Sequence, residues 1–348
     1  MKSLKDISLP ITEEEYRSDG CIHYSSIASY ERGGFGAIPT LFERKESPSL
    51  LLGSCVDTLI TGTPEEFDQR YLVADMNIEG SDTLINATKG LFNVHKDSYR
   101  ALEDIPDAVV IAVLDELNYG KTWFPKTRIE KLRKAGSEYY KLMFLAKDKE
   151  IISSEMYNDA LACVRALHEA PATKFLFAPN NPFEPDIERL YQLKFRATYK
   201  GVPFSMMADE IIVFHKTKKI LPIDLKTSSH KEWEFHRSFL DWNYEVQARQ
   251  YYYVLSECLK EDDYFKDFEI MNWHFVVVNK HTLNPLVWEF EDTKVRGDLC
   301  YGKNQQLKMR DPLEVGVELK GYLDSNASVP NGVLLNKPNS LKEWLNTI

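Results

Sequence analysis

Paired cysteines are missing from this chain. Its five cysteines, Cys21, Cys55, Cys163, Cys258 and Cys300, are scattered and odd in number, and no C-x-x-C occurs. That spacing argues against a disulfide framework, a structural zinc site and an iron–sulfur cluster. Long apolar runs are missing too: no stretch of 18 apolar residues exists, so no membrane-spanning helix is expected. The opening MKSLKDISLPITEEEY has an acidic patch and no apolar h-region. It does not read as a signal peptide, and residence in the cytoplasm (of a host cell, for a phage-encoded chain) is the expectation. Internal repeats and low-complexity tracts are absent. Positive charge is in deficit, 43 Lys and Arg against 53 Asp and Glu, for a net charge of −10. This disfavours a general basic coat for nucleic acid. It leaves room for local contacts, for which the basic stretches at 121–133, 194–200 and 230–237 are candidates. A site rich in acidic metal ligands would itself contribute negative charge until its metal binds.

What is present is a globular composition, 43% hydrophobic and 12% aromatic over 348 residues, enough to bury a full core. Hydrophobic spacing and capping residues predict helices over 24–43, interrupted by a loop at 33–39, and over 50–61, 107–118, 128–145, 153–170 and 312–325. Ser153 or Ser154 would cap the helix at 153–170. Strands are expected at 189–199, 203–214, 219–227, 272–279 and 286–290. Residues 1–20 read as a poorly packed lead-in. Residues 21–348 read as one domain with a helical insertion around 76–150, of which 76–103 has no clear pattern. Helices on either side of a small mixed sheet make an α/β (α+β) core.

The densest chemical signal lies in MMADEIIVFHKTKKILPIDLKTS, residues 206–228. Two apolar runs flank a polar turn, the pattern of a β-hairpin. Asp209 opens the first strand, and Asp224 and Lys226 close the second, two residues apart and therefore on one face. An antiparallel hairpin brings the start of one strand beside the end of the next, so the three charges meet. Two carboxylates and an ammonium at an apolar edge are costly to desolvate unless they bind something. Two carboxylates suit Mg²⁺, and Mn²⁺ as an alternative. A lysine beside such a metal suits phosphodiester hydrolysis, by activating water or by stabilising charge on phosphate. Next comes a polar stretch, 228–238, expected as a loop. A helix over 243–260 follows, which Asp241 or Asn243 would cap. Gln247 and Tyr251 lie four apart on it and share a face that can cover the cluster.

Asp209, then Asp224-Leu225-Lys226, then Gln247-x-x-x-Tyr251 resembles the PD-(D/E)xK nuclease superfamily. More narrowly, it resembles the RecB-like and RecE-like (exodeoxyribonuclease VIII-like) exonuclease branch often found in phage recombination systems. His23-Tyr24-Ser25-Ser26-Ile27-Ala28-Ser29-Tyr30 resembles the S-x-S-x-l helix of that branch. Leu52-Gly53-Ser54-Cys55-Val56-Asp57-Thr58-Leu59 resembles its G-x-x-x-H-x-l helix, with Asp57 where the family usually carries a histidine ligand. The order of these motifs, over residues 24–290, is the specific part.

The resemblance implies a restriction-endonuclease-like core and a metal-dependent deoxyribonuclease, most simply an exonuclease acting on DNA ends in recombination or phage DNA processing. It implies Asp209, Asp224, the Leu225 carbonyl and Asp57 as ligands of Mg²⁺, and Glu188, or else Glu184 or Asp186, as a further acid. Lys226 and Gln247 would act on the water, and Tyr251 on phosphate. DNA is the implied substrate, with a single-strand annealing or recombination protein and a further copy of the chain as possible partners, and no membrane. Two alternatives stay open. One is an endonuclease of restriction or CRISPR-adaptation type. The other is a non-catalytic DNA-binding subunit of the same fold.

Overall fold

The computed structural model describes residues 1–43, 47–75, 82–303 and 305–325. The chain forms two compact units, one made of Met1–Thr61 and Ala162–Ile348, the other of Gly62–Leu161. The first opens with a 3-10 turn, Leu4–Ile7, and with α1 (Glu13–Arg17), each started by a capping box on Ser3 or Thr12. Leu4 is fully buried, and the Leu9 N–H donates to the Lys194 carbonyl at 2.8 Å. The first twenty residues therefore pack on the sheet instead of forming a loose lead-in. After α2 (Tyr24–Gly33), the expected loop is a 3-10 segment, Gly34–Thr40, and α3 (Pro48–Thr61) closes this part.

The second unit holds α4 (Pro64–Arg70), β1 (Tyr71–Ala74), α5 (Asp82–His95), α6 (Asp107–Glu116), α7 (Pro125–Ala146) and β2 (Glu150–Ser153). β1 and β2 pair in parallel. Leu91, Leu102, Val110, Leu114, Leu132 and Tyr140 are the fully buried centre of this unit. Of the segment without a clear pattern, residues 76–81 lie outside the described residues, and the remainder contains α5.

The chain returns to the first unit through α8 (Ser154–Glu169), where the Ser153 hydroxyl caps the Met156 N–H at 3.0 Å. β3 (Ile187–Tyr199), β4 (Val202–Phe214) and β5 (Lys219–Ser228) then form an antiparallel meander. Next come α9 (Phe235–Asp241), α10 (Tyr244–Lys260), β6 (Glu269–Ile270), β7 (Trp273–Asn279) and β8 (Leu286–Phe290). The strand order is β3-β4-β5-β7-β8, with β6 also on β5. β5 and β7 run parallel, which requires a crossover, and α9 and α10 supply it. β9 (Leu299–Tyr301), β10 (Leu307–Met309) and α11 (Pro312–Asp324) complete the unit, giving the mixed sheet flanked by helices of an α/β architecture.

Two local expectations fail for stated reasons. The expected loop at 228–238 is instead a 3-10 turn, Glu232–Glu234, followed by α9, because Phe235 and Phe239, four residues apart, both insert into the core. At α10 the N-cap residue is Asn243, but it sits at φ 54° and its side chain makes no capping bond. Tertiary burial starts that helix instead: Val246, Ala248, Gln250, Val254 and Leu255 are all buried. Among the described residues, no helix is long and apolar enough to cross a membrane.

Candidate active site

β4 and β5 are hydrogen-bonded from Phe214↔Lys219 to Glu210↔Ile223, and the ladder stops there. The next residues on the two strands are Asp209 and Asp224. With no backbone acceptor opposite it, the Leu225 N–H donates to Asp209 Oδ2 at 2.8 Å. The carboxylate thus takes the place of a missing ladder bond and fixes the end of the hairpin open. β5 continues from this point on its other side only, pairing Asp224 with Phe275 and Lys226 with Val277 of β7.

Asp224 is 1% exposed. The Gln247 side-chain amide of α10 donates to its Oδ1, and Lys226 Nζ lies 2.5 Å from its Oδ2. The Lys226 side chain retains 15% exposure and its ammonium lies 4.9 Å from the centre of the Tyr244 ring. Asp224, Lys226 and Gln247 are thus one connected group, and Asp209 joins it through the Leu225 backbone.

α3 brings Asp57 to the same place. A Cβ on Gly53 would lie 3.1 Å from Thr227 Oγ1, so the absent side chain lets α3 approach β5 right beside Lys226. Asp57, one turn further on, accepts from the Gln192 side-chain amide on both carboxylate oxygens, at 2.9 and 3.1 Å. Gln192 faces Asp209 across the β3–β4 ladder, in the gap between Tyr191↔Glu210 and Leu193↔Ala208. Its backbone is left-handed, φ 53°, which turns it out of the regular strand. Sequence reasoning missed Gln192, because a polar residue in a strand carries no signal of a left-handed kink. It also gave no role to Tyr24, a half-buried residue at the start of α2 that Asp209, Asp224 and Lys226 influence electrostatically.

The electrostatics follow from burial and crowding. Asp209 titrates well above the usual carboxylate range, first because it is desolvated and then because Asp224 and Asp57 repel its charge. Asp224 is also raised by burial, with Lys226 and Gln247 opposing the rise. At Lys226 burial favours the neutral amine, but Asp224, Tyr24, Tyr244 and Asp209 outweigh it, and the ammonium is held well above its ordinary range.

Two expected residues stand elsewhere. Glu188 pairs with Val213, four ladder steps from Asp209, or roughly 13 Å at strand spacing. It accepts from Ser3 Oγ at 2.5 Å and lies 3.4 Å from His215 Nε2, so it belongs to a different recess. Of its two alternates, Asp186 gives its backbone carbonyl to the His215 N–H, beyond the same strand ends. Tyr251 is 3% exposed, its ring against Tyr24 and Trp273. It packs among these aromatic side chains, against Tyr24 beside the charged cluster. The basic stretch at 194–200 is spent on local partners: Lys194 on the Gln192 carbonyl, Arg196 on Asp19 and Lys200 on Glu314.

The donor set fits a hard divalent cation in part. Gln247 Oε1 is buried without a hydrogen-bond partner, and the crowded carboxylates would be relieved by positive charge. Among the described residues, no three His, Cys, Asp or Glu side chains converge closely enough to hold an ion by themselves. A cation here would keep several waters, as Mg²⁺ does.

No protein-family model matches the chain, and no curated protein sequence does either. Among solved structures it is similar to one named "Putative exonuclease", from Eubacterium rectale, at 12% identity over 98% of this chain and 100% of that one, with a TM-score of 0.42. A likeness that distant fixes neither the chemistry nor the residues that perform it.

Proposed function

We propose that the chain is a Mg²⁺-dependent deoxyribonuclease. We further propose that it acts as an exonuclease at DNA ends, in recombination or phage DNA processing, in the cytoplasm. One observation carries the reading: where β4 and β5 part, Asp209 binds the Leu225 N–H while Asp224 is held between Lys226 and Gln247. Such a group is expensive to bury and serves no purpose in the core that apolar residues would not serve better. A divalent cation there would lower the pKa of a bound water and neutralise phosphate charge. Asp209 and Asp224 would hold it, with the Leu225 carbonyl and Asp57 as further oxygen donors.

The protein's own groups then have separable tasks. Lys226, kept as an ammonium, supports a phosphate oxygen as its charge grows, and this suits it better than the part of general base. Gln247 orients Asp224, and Gln192 orients Asp57. The test is end-labelled linear duplex and single-stranded DNA, with closed circular DNA beside them, in Mg²⁺, Mn²⁺ or EDTA. Wild type is expected to shorten linear DNA in either metal and to do nothing in EDTA. Asp224→Asn and Lys226→Ala should each lose cleavage by at least about 100-fold with the fold retained. Cleavage of closed circles would move the reading to an endonuclease. Metal-independent binding without any cleavage would move it to a non-catalytic DNA-binding subunit.

A further inference from the structure

Beyond β5 the chain presents large aromatic surface to solvent. Trp233 is 70% and Trp242 54% exposed, two of the six tryptophans of the chain within one ten-residue stretch. The same stretch sends Phe235 and Phe239 into the core, so its outer side had every opportunity to be polar. Each exposed indole carries a cation. The Arg32 guanidinium lies 5.2 Å from the Trp242 ring centre while its Nη1 donates to the Trp242 carbonyl at 2.9 Å. Lys231 Nζ lies 5.2 Å from the Trp233 ring centre. The surface continues inward: Arg32 Nη1 also donates to Asn243 Oδ1 at 3.5 Å, and the ring of the next residue, Tyr244, lies 4.9 Å from Lys226 Nζ. Two ring–cation pairs, Trp242 with Arg32 and Tyr244 with Lys226, thus follow one another, their rings two residues apart in the chain.

Resting on the nuclease reading of that cluster, we infer that this row is a binding platform for single-stranded DNA, which it leads to the carboxylates. Unpaired bases offer π faces to indole rings, and their phosphates suit the guanidinium and ammonium groups between them. Duplex DNA hides its base faces and needs continuous positive lining. This surface does not provide it: Glu234 is paired with Arg237 at 3.1 Å, Glu232 accepts from the Thr282 hydroxyl at 2.5 Å, and Asp241 is exposed. A single strand is therefore the occupant that the chemistry selects.

The experiment is fluorescence anisotropy in EDTA, with the full chain and labelled oligothymidylate or a blunt duplex of equal length. Wild type is expected to bind the single strand more tightly. Trp242→Ala should weaken that binding by about tenfold or more, and Trp242→Phe by less than about threefold. Trp233→Ala, a change at a more exposed position, should also weaken it, while far-UV circular dichroism and duplex affinity stay put. Superimposable single-strand titrations for wild type, Trp242→Ala and Trp233→Ala overturn the platform, and so does an equal loss on single strand and duplex. Cleavage in Mg²⁺ separates the two readings. A protein that cuts DNA but ignores both tryptophan changes keeps the nuclease and loses the platform. One that cuts nothing yet loses single-strand binding in Trp242→Ala keeps the platform and loses the nuclease.

Discussion

Asp57 is the residue at which chemistry and fold are most easily told apart. Its carboxylate is held by both hydrogen bonds from Gln192, and its charge already disfavours ionisation of Asp209. As a metal ligand it would make the site all-oxygen, so Mg²⁺ and Mn²⁺ should support cleavage and Zn²⁺ or Ni²⁺ should do so poorly. Asp57→Ala is expected to need roughly tenfold more Mg²⁺ for half-maximal rate, because one ligand fewer weakens binding before it disables chemistry. Asp57→His should keep activity and shift its preference toward Mn²⁺. Metal titrations of the cleavage rate check this, and identical curves for Asp57→Ala and wild type would remove Asp57 from the site.

At the scale of elements, the contact of α3 with β5 depends on one missing side chain. Gly53→Ala would place a methyl 3.1 Å from Thr227 Oγ1, tighter than ordinary contact. It should cost about 1–3 kcal/mol and lower activity, since α3 carries Asp57. In a Thr227→Ala background the hydroxyl is gone and the cost should shrink by half or more. Denaturant melts of the double-mutant cycle measure that coupling, and simple additivity would show that the approach is not tight.

The β3–β4 ladder makes a second prediction. Glu210 is 1% exposed, and burial pushes its carboxyl up to about 8, against the pull of Arg189. A carboxyl raised in the folded state binds its proton more tightly than in the unfolded chain. Its stabilising contribution is therefore complete below the unfolded value of 4.5 and is lost as pH rises through about 8. Glu210→Gln should flatten stability across that window and be the more stable protein at pH 8, by roughly 2–4 kcal/mol. Parallel pH-dependent profiles for the two proteins would contradict it.

For the molecule as a whole, the cluster of like charges is a liability that the proposed cation would relieve. Asp209→Asn keeps an acceptor for the Leu225 N–H and removes the repulsion from Asp224 and Asp57. In EDTA its melting temperature should exceed that of wild type by about 2–4 °C. In millimolar Mg²⁺ the order should reverse, because metal that binds only the folded state stabilises wild type by mass action and the variant much less. Differential scanning calorimetry with and without Mg²⁺ reads the crossing, and equal metal-induced shifts would take Asp209 out of the ligand set.

The sequence by itself determined the hairpin, the shared face of Asp224 and Lys226, and the long helix carrying Gln247, because strand alternation and helical spacing are local and repeat every two or four residues. It also sufficed to place the strand pair at Trp273–Asn279 and Leu286–Phe290. Only the tertiary structure decided that Glu188 lies several ladder steps from the cluster, since register is set by partners on another strand. It alone turned Tyr251 into the core, helped turn 228–238 from an expected loop into α9 through Phe235 and Phe239, and recruited Gln192 through a left-handed kink. Those outcomes depend on what each residue meets across tens or hundreds of positions, and neither periodicity nor composition records which side chains a fold will bring face to face.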